Sequence, residues 1–313
     1  MSTQPNLASD RQVDPIISAV ARGYGATYAP VANRLFPIVP VAARAGKIIQ
    51  FGPEDFYLLD TRRAPGQSTG RVQYGYDGGS FALVDHSLEG GVPRERYQDA
   101  KAVPGIDLAE MAVRRVQRTL DIERESISGK LARDDTKYGA SNKSVVATAD
   151  KWDDPGADVL GQVADGRSAV RVQVGAKPDL MILPDPVFTK VRRNPNVLAS
   201  LSNNNMKLAT LEQLQELFEM EILVAQSMYY DPATKKFVDI WGTDVVMACT
   251  TPKSMQDMGS PAYGYTYQLD GFPEVEEPYY DSNTKTWYYP VSDAYQPVLT
   301  GVSSGYLFKG AIN

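Results

Sequence analysis

Histidine and cysteine are nearly absent from this chain: 313 residues contain one of each, His86 and Cys249. A lone cysteine cannot form an internal disulfide, so the composition fits a reducing compartment. A lone histidine excludes a zinc or iron site of ordinary composition. Excess positive charge is missing as well. Lys and Arg number 32 against 38 Asp and Glu, a net charge of −6, which counts against nucleic-acid binding as the main task, because neutralising phosphates needs a basic surface. No apolar run approaches the length needed to span a bilayer, and the opening "MSTQPNLASDRQVD" lacks the apolar core of a signal peptide. The chain therefore reads as made and folded in a cytoplasm. There is no P-loop and no G-x-G-x-x-G string. No internal repeat or low-complexity tract stands out.

Apolar residues make up 43% and charged residues 22%, the profile of an ordered protein long enough for a sizeable core. The first 46 residues read as an arm. "YAPVANRLFPIVPVAARAG" is broken by Pro30, Pro37 and Pro40, which forbids a long helix or a central strand and favours extended chain lying against another surface. Two strand-like pieces, "GKIIQFG" and "SFALVDHSL", flank about thirty residues rich in Gly, Asp, Arg and Gln. Read as one hairpin over 47–88, each arm would reach on the order of 60 Å, enough to touch something outside its own subunit.

A long helix is predicted over 106–133. Asp107 is its N-cap with Glu110 three residues on, and Ile106, Val113, Leu120 and Ile127 recur every seven residues. "GGVP" at 90–93 reads as the bend before it. From 152 the pattern alternates between helices and strands. Asp154–Pro155 is a candidate helix start, "PDLMILP" a buried strand, Asp185–Pro186 a second helix start stopped by Pro195, and Thr210 with Gln213 a third. "EILVAQSMYY" and "KFVDIWGTDVVMACT" read as strands joined by the turn "DPATK". The C-terminal part, including "GYTYQL", "TWYYPV" and "SGYLFKGAI", is aromatic and strand-rich.

Enzymatic chemistry finds little footing. "GVSSG" matches the nucleophile-elbow string around Ser303, but no histidine follows it and a strand rather than a helix comes next. His86 has acidic neighbours in Asp85 and Glu89, yet Cys249 as its nucleophile partner lacks local support. The acidic groups "WDDPGAD" and "PEVEEP" lack EF-hand spacing. Between Lys253 and Asn313 three lysines and no arginine stand against seven carboxylates, so the aromatics there suit core and subunit interface better than base stacking. No catalytic, cofactor-binding or metal-binding residue is assigned, and the chain is read as no enzyme.

The ordered set of segments resembles the major capsid proteins of tailed bacteriophages, with the Hong Kong 97-type fold. The residues carrying the resemblance run from the Pro-broken arm through "FALVDHSLEGGVP", "LAEMAVRRVQRTLDIERE", "KPDLMILPDPVFTKVRRNPNV", "LATLEQLQELFEMEILVAQSMYYD", "FVDIWGTDVVMACT" and "PAYGYTYQLDGFPEVEEPYYD" to the ending "SGYLFKGAIN". The resemblance implies an α+β fold with an N-terminal arm at 1–46 and an extended β-hairpin loop at 47–88. A peripheral domain at 89–151 would carry the spine helix 106–133, and an axial domain would occupy 152–252. Strands in 253–313 would return to the peripheral domain. It implies self-assembly through pentamers and hexamers into an icosahedral shell around double-stranded DNA, bound without sequence specificity, within a virion assembled in the host cytoplasm. Portal and decoration proteins are expected partners. Because the arm begins almost at once, any scaffold is expected to be a separate protein. An encapsulin compartment around a cargo enzyme is the alternative, followed by a tail structural protein or a cytoplasmic hydrolase. On this reading His86 belongs to a subunit contact with Asp85 and Glu89, sensitive to pH if it matters at all.

Overall fold

A computed structural model of the chain describes residues 30–48, 62, 79–101, 107–201, 207–250 and 262–313. Most of the expected arm and the body of the expected hairpin lie outside these residues.

One sheet is organised by a single long strand, Thr286–Leu299. Along one side it pairs antiparallel with Val84–Pro93 over ten residues, from Thr286 opposite Pro93 to Tyr295 opposite Val84. Along the other it takes three shorter strands in turn, Tyr279–Asp281, Glu274–Val275 and Gly264–Leu269. Ile38–Val41 adds to Gly264–Leu269 in parallel at the sheet's edge, where Pro40 costs no ladder hydrogen bond that a neighbour needs. The helix Leu108–Ala132 covers one face of this sheet. Val113, Val116 and Leu120 cluster with Val92, Val275, Tyr289 and Val291.

The helix keeps its predicted start: the Asp107 carboxylate accepts from the backbone N–H of Ala109 and Glu110. Its buried stripe departs from the seven-residue reading. Past Leu120 the buried positions are Glu125, Ser128, Gly129 and Ala132, while Ile127 is only partly buried. A straight helix turns every 3.6 residues, so a strict heptad drifts off the covered face within a few turns. "GGVP" is not a bend. Gly90 and Gly91 lie within the strand Val84–Pro93, and the chain turns only afterwards into the helix Arg94–Lys101. A side chain on Gly90 would sit 3.0 Å from both the Cβ and the carbonyl oxygen of Ala112. The glycine lets the long helix lie close on the strand.

The second sheet has five strands in the order Lys143–Val145, Gly305–Lys309, Val245–Ala248, Leu180–Pro184, Glu221–Ala225. Helices on one side build a core of Trp152, Val159, Val163, Met181, Leu183, Met247 and Phe308, among others. On the other side Leu180, Ile182, Trp241, Val246 and Leu307 meet Leu35, Phe36, Ala132 and Tyr263. Leu180–Pro184 is wholly buried because both faces are covered. Residues 30–41 lie against the chain's own core, where Leu35 and Phe36 are fully buried. The last strand also departs from the expected return of 253–313 to the helix-covered sheet. Gly305–Lys309 lies inside the five-stranded sheet, because Leu307 and Phe308 point to opposite faces and each needs an apolar cover.

Local starts and stops follow side-chain hydrogen bonding. Helix Val159–Val174 is capped by Asp158, which accepts from Gly161 N, and not by Asp154, whose carboxylate closes a turn onto Gly156 N. Pro195 opens the helix Pro195–Ser200 with Asn194 as cap, instead of merely ending the one before. Thr210 and Gln213 form a full capping box. Ala45–Lys47 pairs antiparallel with Ser80–Ala82. From Val84 the chain has already joined the long strand.

Candidate functional site

The long helix, the segment 30–36 and the chain around Ser227 and Trp241 meet at one buried side chain. Glu125, fully buried on the long helix, accepts from the Ala32 backbone N–H at 3.0 Å, the Trp241 indole N–H at 2.7 Å and the Ser227 hydroxyl at 3.3 Å. Burial pushes its carboxyl above the usual range, and these donors only partly offset the loss of water. A second buried acid, Asp244, gathers Arg133 Nε at 2.8 Å, Lys309 Nζ at 3.2 Å and Gly310 N at 2.8 Å, tying the helix C-terminus to the last strand. A third, Asp293, pairs with Arg124 and accepts from Gln268. These acids are joints between elements and do not line a cleft.

His86 sits opposite Asp293 in the ladder, its ring stacked on Tyr295 at 4.3 Å and its Nδ1 3.6 Å from a Glu123 oxygen. Its sequence neighbours go elsewhere: Asp85 pairs with Arg44, and Glu89 accepts from the Tyr279 hydroxyl. No relay forms around the imidazole. Burial pushes the Cys249 thiol up to about 12, so it is held as the unreactive thiol. Ser303 lies on a 3₁₀ turn feeding a strand. Among the described residues no cluster of His, Cys, Asp or Glu could hold a metal.

What the surface offers is an open groove of mixed polarity and an aromatic ribbon. A shallow groove of about 480 Å³ runs between the N-terminal half of the long helix and the strand Val84–Pro93, with Leu88 and Met111 exposed on its walls. A two-stranded ribbon, Met228–Asp231 with Lys236–Asp239, exposes Met228, Tyr229, Tyr230, Phe237 and Val238. Clustered aromatics facing solvent mark a contact surface.

The ribbon also exposes a repeat. "YYDPATKKF" at 229–237 recurs as "YYDSNTKTW" at 279–287, fifty residues on. In both, the aspartate accepts from the backbone N–H two residues ahead and the threonine hydroxyl three ahead (Ala233 and Thr234; Asn283 and Thr284). In both, the lysine takes a positive φ, 54° at Lys235 and 51° at Lys285. The expectation of no internal repeat is overturned, and a self-comparison at an offset of fifty would have found it. Glu125 carried no such signal, since its partners come from 93 to 116 residues away.

A curated major capsid protein of Burkholderia phage BcepMu is 30% identical to this chain, over 97% of it and 98% of the phage protein. The chain belongs to the phage major capsid proteins. A phage-related protein from Bordetella bronchiseptica, solved by crystallography, is 36% identical, covers 96% of the chain and 98% of its own length, and superposes with a TM-score of 0.82. The capsid of cyanophage P-SCSP1u (8% identity, TM-score 0.56, 91% and 89% covered) and the SrpI encapsulin of Synechococcus elongatus (11%, 0.55, 93% and 94%) share the fold. No protein-family model matches. As a major capsid protein the chain is a structural subunit of the virion shell and not an enzyme, and capsid assembly makes its principal partner another copy of itself. No described helix is long and apolar enough to cross a membrane.

Proposed function

We propose that this capsid protein closes through pentamers and hexamers into an icosahedral Hong Kong 97-type shell around double-stranded DNA. The observation that carries the reading is the 30% identity to a phage major capsid protein along nearly the whole of both chains. In this reading residues 1–46 are the N-terminal arm and 47–88 the extended loop, whose last residues, Val84–Leu88, run on into the sheet. Residues 89–151, with the spine helix and the strands of 264–299, form the peripheral domain. Residues 152–252, joined in one sheet by the strand Lys143–Val145 and the final strand, form the axial domain. A net charge of −6 suits a container whose contents must slide and not stick. A separate scaffold, a portal and decoration proteins are the partners such a shell calls for, with assembly in the host cytoplasm. The neighbourhood of the encapsulin is one of fold, at 11% identity.

Negative-stain microscopy of the chain expressed alone and with neighbouring scaffold candidates tests this. Closed shells or ring-shaped capsomers are expected, with shells formed during infection containing DNA. A chain that stays monomeric under all these conditions, or shells that hold an enzyme and no genome, would overturn the reading.

A further inference from the structure

The two "YYD-x-x-TK" ribbons share a register but not a setting. In the copy at 279–288, Tyr279, Tyr280 and Asp281 pair with Tyr288, Trp287 and Thr286. The second strand is then covered on its far side, where Gly91, Val92 and Pro93 pair with the same three residues. Thr286 is buried and Trp287 half-buried as a result. In the copy at 229–238, Tyr229, Tyr230 and Asp231 pair in the same way with Val238, Phe237 and Lys236. Here the ribbon stops at two strands, and among the described residues neither edge has a partner. Phe237 is 68% exposed and Tyr230 52%. A lone two-stranded ribbon is marginal in water, and an open, flat, aromatic edge invites another strand. Its base is nevertheless held firmly: Ile240 N donates to Ser227 O, and Ser227 and Trp241 both bond Glu125.

We infer that the ribbon Met228–Asp239 is an edge-pairing element whose occupant is the same ribbon of a second copy of this chain. Lys236–Asp239 of one subunit adds to Met228–Asp231 of the next, making a continuous sheet around a capsomer axis. The inference rests on the proposed ring assembly.

Charge and shape set the register. If the sheet continues in the pairing used inside the ribbon, each Lys236 lies between two Asp231 carboxylates. Each Phe237 then lies between two Tyr230 rings, and each Val238 between two Tyr229 rings. A slip by one residue would place Lys236 against Tyr230 and turn the pattern to the other face. The Asp231 carboxyl is held below the usual range by the Ala233 N–H and the Thr234 hydroxyl, so it presents full negative charge. Because one edge meets the other, the contact is heterologous, and it closes into rings as a capsomer requires.

Disulfide trapping tests it. Subunits carrying only Y229C are co-assembled with subunits carrying only V238C, so that no chain can bridge its own ribbon. Cross-strand neighbours lie within disulfide reach, and Cys249 is buried. A cross-linked dimer is expected in mixed particles and in neither variant alone. F237D, with a thermal midpoint matching wild type, should raise the subunit concentration needed for assembly by at least about tenfold, as loss of one anchoring aromatic does. Particles of normal yield without the cross-link overturn the inference and leave the shell reading intact. Slow exchange, already in the isolated subunit, of the amides of 236–239 that face away from Met228–Asp231 means the chain covers its own edge, and also overturns it. An unsubstituted chain that never forms rings overturns both.

Discussion

At the scale of single residues, Glu125 has the widest reach. It holds a carboxylate where water cannot follow, and among its described neighbours only neutral donors face it, from Val31, Ala32, Ser227 and Trp241. A carboxyl raised above its ordinary value of 4.5 favours the protonated folded state. Its contribution to stability is full below that value and is lost as pH rises through the higher folded one. Glu125→Gln keeps the shape and removes the titration, but turns an amide N–H₂ towards groups that donate. The variant should be less stable at the acid end by about 1–3 kcal/mol, the cost of a broken buried hydrogen bond. That gap should shrink towards neutrality. Thermal melts of both proteins from about pH 4 to pH 8 read this directly, and a gap that stays constant with pH would show that Glu125 does not titrate in that window. His86, by contrast, is a stacking residue within its own subunit.

At the scale of elements, close approach decides where the long helix lies. Gly90→Val would drive two methyl groups into Ala112 Cβ and its carbonyl, both 3.0 Å from where a Cβ would stand. We expect a loss of about 1–3 kcal/mol, as for other overpacked contacts, and slower assembly, because helix and strand would have to separate. Gly91→Ala is a milder comparison, with its nearest neighbour the Tyr288 ring at 3.2 Å. Denaturant unfolding of the two variants ranks them. What could be read from the sequence falls along the same line of locality. The helix start at Asp107, the capping box at Thr210 and the buried strand "LMILP" are written in adjacent residues and were legible. The fourteen-residue strand Thr286–Leu299 was read only at "TWYYPV". Its length comes from four partner strands, of which the one it pairs with for ten residues, Val84–Pro93, lies far away in the chain, and Pro290 and Pro297 argue locally against it. The "GGVP" misreading has the same origin. Two glycines look like a turn until the helix that needs their bareness is known to lie beside them. The shell role was legible only as an ordered series of segments, while nothing local marks the residues joining them, Glu125 and Asp244, whose partners lie far off in the chain.

At the scale of the whole molecule, a subunit that exposes an aromatic ribbon has its full stability only inside the assembly. Melting of assembled particles should therefore lie well above melting of isolated subunits, and the difference should shrink on dilution before particles form. Calorimetry at two concentrations measures both. A single transition at one temperature in both states would mean that assembly buries little.

The solitary thiol described earlier has a practical consequence. Cys249 is buried and protonated at the end of the central strand of the five-stranded sheet, beside Val170 and Val174. With no second sulfhydryl in the sequence to confuse the signal, the rate at which a thiol reagent labels the native protein counts how often that sheet opens. The chain carries its own clock for breathing, readable in free subunits, capsomers and closed shells without adding a probe.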